Sequence, residues 1–299
     1  MNQPMKKTMQ NNLNLKITYF GGEPLSMPVL EELKKSGILP NLVICNPDRP
    51  SGRKKQLTPP PTKVWAEENG IEVFQPESYK DEDVKTKLAS GNFDLFVVVA
   101  YNKILPKWLI DLPKFKTINV HPSLLPKLRG PSPIRSAILN DQRETGVSII
   151  VLDEEMDHGP IIAQAKVTIP SEKWPISGTE LDMTLGQIGG KLLAKTIPNW
   201  TSGNITPTDQ DHSQATLCTK ITKNMGELQL DPYNLPKGEG AYKALLKIRA
   251  FAGWPETFFI YNDKRFKIKE AVLTNSGQLV INKIVPEGKS ETDFSAYFK

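Results

Sequence analysis

The sequence is poor in the residues that build covalent frameworks and metal centres. Only two cysteines occur in 299 residues, Cys45 and Cys218. They are too few for a disulfide scaffold and too far apart for a cysteine metal site. Only three histidines occur, His121, His158 and His212, and none stands in an HxxxH or HExxH arrangement, so no metal is expected. No apolar run approaches the roughly 18 residues of a membrane helix. The longest, Leu95 to Tyr101, is strand-sized. Lys6 and Lys7 have no apolar stretch behind them and no arginine precedes Arg49, which speaks against a secretory or organelle-targeting segment. A protein of the reducing cytoplasm, without membrane contact, is the expectation.

Two sequence signatures of chemistry are also missing. Gly21-Gly22 follows the first apolar stretch but lacks the third glycine of GxGxxG, so these residues read as a tight turn and no nicotinamide cofactor is expected. GxSxG is absent and Cys45 sits in an apolar stretch, so no activated serine or cysteine nucleophile is apparent.

What remains is an ordinary globular composition, 38% hydrophobic and 24% charged, with length enough for two domains. The net charge of +5 is uneven. Residues 218–299 hold thirteen Lys and Arg against nine Asp and Glu, which leaves +1 for the rest of the chain. Arg49, Arg53, Lys54 and Lys55 form a second, local concentration. Basic surface of this kind attracts polyanions, although solvated surface accounts for either patch equally well.

Strand and helix patterns alternate through the first two-thirds of the chain. Residues 15–20, 39–45, 71–74, 95–100, 117–121, 147–152 and 161–169 read as strands. Helices are expected after Gly22 and over 64–69, 81–89 and 179–197. The prolines between Pro47 and Pro61 are expected to break regular structure. This is the pattern of an α/β fold with a mainly parallel sheet covered on both faces. The polar tract 199–214 reads as a linker. Beyond it, a helix over 242–251 and strands over 258–260, 265–272 and 278–285 suggest a small β-rich domain.

His121 ends the strand 117–121, two residues after Asn119, so an amide and an imidazole share one face at the strand end where α/β sites form. Asn can donate to a developing oxyanion and His can exchange a proton near neutral pH. An acidic loop, Asp153, Glu154, Glu155 and Asp157, precedes His158-Gly159-Pro160. One of its carboxylates is placed to reach His121, while Glu154 and Glu155 read as a solvated turn and His212 as a linker residue. Such a trio supports direct acyl transfer, or hydrolysis, without a covalent enzyme intermediate.

The residues that carry these features are distinctive. Asn119-Val120-His121-Pro122-Ser123-Leu124-Leu125-Pro126, Arg129-Gly130, Pro133-Ile134, Glu144-Thr145-Gly146-Val147 and Asp157-His158-Gly159 together resemble the folate-dependent formyltransferase family. Within it, the basic stretch Asn46–Leu57, the run Ala100-Tyr101 with Ile104-Leu105-Pro106, the stretch Leu246–Phe251 with Trp254-Pro255, and Pro286–Lys289 resemble the branch that acts on methionyl initiator tRNA. The similarity covers nearly the whole chain from about residue 15.

The resemblance implies a Rossmann-type formyltransferase domain over residues 1–200, a linker over 201–217, and a shortened OB-like open β-barrel over 218–299. It implies 10-formyltetrahydrofolate as formyl donor, initiator tRNA as acceptor, and a monomer. Asn119, His121 and Asp157 would be catalytic. Ser123, Leu124, Leu125, Pro126, Tyr101, Ile104 and Leu105 would border the folate. Arg49, Arg53, Lys54, Lys55 and Arg249 would engage tRNA. The family's first turn usually reads like AGTP, whereas this chain has Gly21-Gly22-Glu23-Pro24. Two further readings stay open: a formyltransferase for an amino sugar nucleotide or other small amine, and an inert RNA-binding homologue.

Overall fold

The computed structural model describes residues 13–22, 24–51 and 56–298. Glu23, Arg53, Lys54 and Lys55 therefore lie outside the described residues. The chain divides into two compact units. One runs up to Arg129 and includes Gly146–Lys166 and Met183–Ala215; the other comprises Gly130–Thr145, Val167–Asp182 and the chain from Thr216 on.

The strands are β1 (Ile17–Gly21), β2 (Leu42–Ile44), β3 (Arg49–Ser51), β4 (Gln56–Thr58), β5 (Glu72–Phe74), β6 (Leu95–Val99), β7 (Thr117–His121), β8 (Glu144–Val151) and β9 (Ile161–Thr168). Four more follow: β10 (Thr257–Tyr261), β11 (Lys264–Leu273), β12 (Leu279–Pro286) and β13 (Thr292–Asp293). The helices are α1 (Ser26–Lys35), α2 (Pro61–Glu68), α3 (Glu82–Ala89), α4 (Lys107–Ile110), α5 (Pro133–Leu139), α6 (Gly178–Thr201) and α7 (Gly238–Ala250).

Seven strands form one sheet in the order β5-β2-β1-β6-β7-β8-β9. The first five run parallel, and β8 joins β7 antiparallel. β1 and β6 are buried along their whole lengths. A strand covered on both faces takes apolar residues at every position, which is why β6 reads Leu-Phe-Val-Val-Val without alternation. α1 buries Pro28, Val29, Leu30 and Leu33, a stripe at helical spacing. Phe20, Ile44, Phe96, Val98 and Leu109 pack into a shared core. The strand order reverses between β1 and β6, so ligands are expected beyond the C-terminal ends of β1, β6 and β7.

The proline-rich stretch is more regular than its composition suggests. β3 and β4 pair as an antiparallel ribbon despite Pro50, because a two-stranded ribbon has open edges where a missing N–H costs no ladder bond. Pro61 opens α2 at a position where its N–H would have no helical partner. α5 opens on Pro133 after Ser132, in a stretch too short for periodicity to reveal.

In the second unit β10-β11-β12-β13 form an antiparallel sheet. α7 covers it through Ala241, Ala244, Leu245 and Ile248, which pack with Phe259, Phe266, Ile281 and Ile284. α5 packs on α7. Pro286 ends β12 and Glu287-Gly288 turn the chain towards β13. Among the described residues no helix is long and apolar enough to cross a membrane.

Candidate active site

The site begins with the register of β7. Asn119 is the middle residue of β7 and pairs with Val98 on one side and Ile150 on the other. His121 is the last residue of β7 and lies opposite Ser148. It is buried, with 4% exposure.

The imidazole is held from two directions. Nε2 lies 3.0 Å from the Leu128 carbonyl oxygen. A carbonyl only accepts, so Nε2 carries the proton and donates it. Nδ1 faces Asp157 Oδ1 at 3.5 Å. In the neutral ring Nδ1 therefore presents a lone pair, and protonation there creates an imidazolium beside a carboxylate. The same Oδ1 accepts from Asn119 Nδ2 at 3.4 Å. Amide, ring and carboxylate thus converge, although 38 residues separate Asn119 from Asp157.

Asp157 reaches this point because the loop after β8 is tightly wound. Its backbone is left-handed, with φ +51, a conformation Asp tolerates better than most residues. Gly159 packs directly on β8: a Cβ there would stand 1.8 Å from the Val151 carbonyl oxygen. Asp153 closes the start of the loop, accepting from the Glu155 N–H at 2.9 Å and contacting His158 Nδ1 at 2.7 Å. His158 is thereby turned to Asp153, while the Glu154 side chain is 64% exposed and lies 3.6 Å from Lys107.

The loop after β7 is fixed by Ser148. Its hydroxyl donates to the Ser123 carbonyl at 2.7 Å and accepts from the Leu125 N–H at 3.0 Å and from Gln164 Nε2 at 2.9 Å. Gln164 also donates to the Leu125 carbonyl at 2.8 Å. Ser123 spends its own hydroxyl on the Lys127 carbonyl at 2.6 Å. Ser123 and Leu125 are buried, whereas Leu124 and Pro126 are partly exposed.

On the neighbouring strand end, Ala100 is left-handed, with φ +46, and Tyr101 follows. The Tyr101 and Tyr79 hydroxyls meet at 2.7 Å. Burial pushes the Tyr101 hydroxyl up to about 12 and raises Tyr79 further. Leu105 is buried, while Ile104 stands 90% exposed. At the end of β1 the turn is braced by Ser26, whose hydroxyl donates to the Val99 carbonyl at 2.7 Å and accepts from the Gly22 N–H at 3.3 Å.

Arg49 lies on β3 and pairs with Glu77 at 2.8 Å, both side chains exposed. Arg249 belongs to the second unit, at the end of α7. Its Nε is buried and takes no hydrogen bond among the described residues. No group of three His, Cys, Asp or Glu side chains suited to a metal ion occurs among the described residues.

Two further buried side chains lie close to this site: Gln210, which no sequence pattern singles out, and Arg129, which entered only as part of the family resemblance. Gln210, in the tract that reads as linker, is 5% exposed, and Arg129 is 8% exposed. A lone Gln among polar neighbours has no pattern that would single it out.

The arrangement supplies a fixed hydrogen-bond donor, a proton acceptor and a carboxylate at one strand end, without a nucleophile that would form a covalent intermediate. Residues 15–176 match the family model described as formyl transferase, and the chain belongs to that family. Among its relatives is the methionyl-tRNA formyltransferase of Halalkalibacterium halodurans, 40% identical over 85% of this chain and 77% of the relative. Two solved structures share the fold at lower identity. Methionyl-tRNA formyltransferase from Clostridium thermocellum is 15% identical with a TM-score of 0.60, covering 93% of this chain and 99% of its own. HypX from Aquifex aeolicus, in complex with tetrahydrofolic acid, is 14% identical with a TM-score of 0.65, covering 94% of this chain and 46% of its own.

Proposed function

We propose that this chain transfers the formyl group of 10-formyltetrahydrofolate to the α-amino group of methionyl initiator tRNA, giving tetrahydrofolate and formylmethionyl-tRNA. The identity to methionyl-tRNA formyltransferases over most of the chain supports the acceptor. One observation carries the chemistry: a single carboxylate oxygen of Asp157 lies within 3.5 Å of both the Asn119 amide and the His121 ring.

In this reading the methionyl nitrogen attacks the formyl carbon. The formyl oxygen gains negative charge and accepts from Asn119 Nδ2, which leaves its long contact to Asp157 for the oxyanion. The attacking nitrogen must lose a proton as the bond to carbon forms. His121 Nδ1 takes it, and Asp157 stabilises the imidazolium that results. The bond from carbon to folate N10 then breaks, and the proton passes to N10. Atoms and charge balance without a covalent enzyme intermediate.

Leu124, Pro126, Tyr101 and Ile104 would contact the folate, with Ser123, Leu125 and Leu105 shaping the loops beneath them. Arg53, Lys54 and Lys55 would engage the tRNA acceptor end, with Arg49 exchanging Glu77 for phosphate. Arg249 and the basic C-terminal region would hold tRNA backbone, which positions without reading sequence. We place the catalytic domain in residues 1–200, the linker in 201–217 and an OB-related barrel in 218–299. The four antiparallel strands and α7 support that last assignment. The reading is of a monomer in the cytoplasm.

The test is a transfer assay with charged initiator tRNA, charged elongator tRNA and an amino sugar nucleotide offered in parallel. Formyl transfer to the initiator tRNA is expected; transfer to the sugar alone would overturn the acceptor assignment. His121→Ala should lower kcat by about 10²–10⁴-fold and leave tRNA affinity intact. Unchanged turnover in that variant would remove the mechanism.

A further inference from the structure

The ring of His121 is fixed by two residues that both occupy left-handed backbone, Leu128 at φ +58 and Asp157 at φ +51. Neither is glycine, and a non-glycine residue rarely holds this conformation unless its surroundings impose it. Both turns connect to the same pair of buried side chains. Gln210 Nε2 donates to the Asp157 carbonyl at 2.9 Å and to the Gly159 carbonyl at 2.7 Å. Its Oε1 accepts from Arg129 Nε at 3.1 Å and Nη2 at 2.7 Å. Arg129 directly follows Leu128 in the chain and also reaches His212 Nδ1 at 2.8 Å.

The chemistry permits only one orientation of this amide. A guanidinium has no acceptor, so it must face the amide oxygen. Two carbonyls have no donor, so they must face the amide nitrogen. The Gln210 side chain is therefore satisfied at both ends and cannot flip, with two N–H groups of the guanidinium converging on its one oxygen. Burial strengthens each of these bonds and makes any loss costly.

We infer that Arg129 and Gln210 are positioning residues of the transfer reaction, clamping the Leu128 and Asp157 turns so that the His121 ring is held between its carbonyl acceptor and its carboxylate. The inference rests on the catalytic reading of His121 and Asp157 given above. Neither residue touches the reacting atoms. Gln210 acts on the backbone that carries Asp157. Arg129 acts through Gln210 and through its peptide link to Leu128. The segment around Gln210 is thus part of the machinery that sets proton transfer, although its sequence reads as a connector.

The test is a double-mutant cycle in the full chain, with Gln210→Met, Asp157→Asn and the pair. Methionine keeps the length and bulk of Gln210 and removes its polar ends. Gln210→Met alone should lower kcat by about 10–100-fold, as expected for a misplaced catalytic group. KM for folate and for charged tRNA should stay within about two-fold, since no binding contact is lost. In the Asp157→Asn background the same change should cost less than about two-fold, because its effect passes through that carboxylate. Should Gln210→Met fail to fold by circular dichroism, Gln210→Glu carries the same cycle. It keeps the shape and the Arg129 contact but sets an acceptor against two carbonyls. Wild-type kcat in the Gln210 variant, or an equal loss in both backgrounds, overturns the positioning role while leaving the site assignment standing. Full turnover by Asp157→Asn alone would instead overturn the catalytic reading, and this inference with it.

Discussion

Oδ1 of Asp157 is shared between an amide and an imidazole, and the backbone around it leaves little freedom for substitution. Gly159 shows the constraint most sharply, because any Cβ would meet the Val151 carbonyl oxygen at 1.8 Å. That atom belongs to β8 and cannot move aside without breaking the bond from the Val151 N–H to the Pro160 carbonyl. Gly159→Ala should therefore destabilise the protein by about 2 kcal/mol or more and displace Asp157. Urea unfolding and kcat of the folded variant check this; a neutral effect on both would contradict the packing described. At this scale the sequence was informative where spacing carries geometry. Asn119 and His121, two apart on a strand, had to share a face. Asp157 came from the family resemblance and from its place after β8. Gln210 had no such support, since its partners lie 53 and 81 residues away.

Elements decide how firmly the loop after β7 is held. Ser148 lies opposite His121 in the β7–β8 ladder and serves three partners with one hydroxyl. Ser148→Ala would leave the buried Leu125 N–H without its acceptor and the Ser123 carbonyl without its donor. Unsatisfied buried groups cost about 1–3 kcal/mol each, so a loss of about 2–4 kcal/mol is expected in denaturant unfolding. If the same loop borders the folate, as proposed above, KM for the formyl donor should rise more than KM for tRNA. Equal changes in the two would place the loop elsewhere. The long apolar strands and amphipathic helices of the α/β part were legible, because burial on both faces or on one stripe leaves a periodic trace. The β3–β4 ribbon and α5 were not. Both are short, and their prolines occupy positions that break structure in general but are harmless at an open edge or a helix start.

The whole molecule records its buried acids in its response to alkali. Burial pushes the Cys45 thiol up to about 11 and the Tyr101 hydroxyl up to about 12, and raises Tyr79 and Tyr19 still further. The unfolded chain would ionise these groups near their ordinary values of 9.0 for the thiol and 10.0 for the phenols. Above those values the native state binds more protons than the unfolded state, so stability falls as pH rises. The contribution is complete below about pH 9, is lost through 11 to 12 for Cys45 and Tyr101, and goes on being lost above that for Tyr79 and Tyr19. Urea midpoints should therefore decline steadily from pH 9 upward. Tyr79→Phe combined with Tyr101→Phe should make that decline shallower. A midpoint that stays constant from pH 9 to pH 11 would show that these groups are not held as described.

By itself the sequence determined the alternation of strands and helices, the amide, imidazole and acidic residues available for acyl transfer, and the excess of positive charge towards the C-terminus. These are properties of spacing and composition, which local geometry translates directly. Only the tertiary structure decided how the His121 ring is held from both sides, between the Leu128 carbonyl and Asp157. It also decided that a glutamine from an apparently plain polar tract grips the loop that carries Asp157. Those outcomes depend on contacts between residues tens of positions apart, and no local pattern encodes the closing of such a circuit.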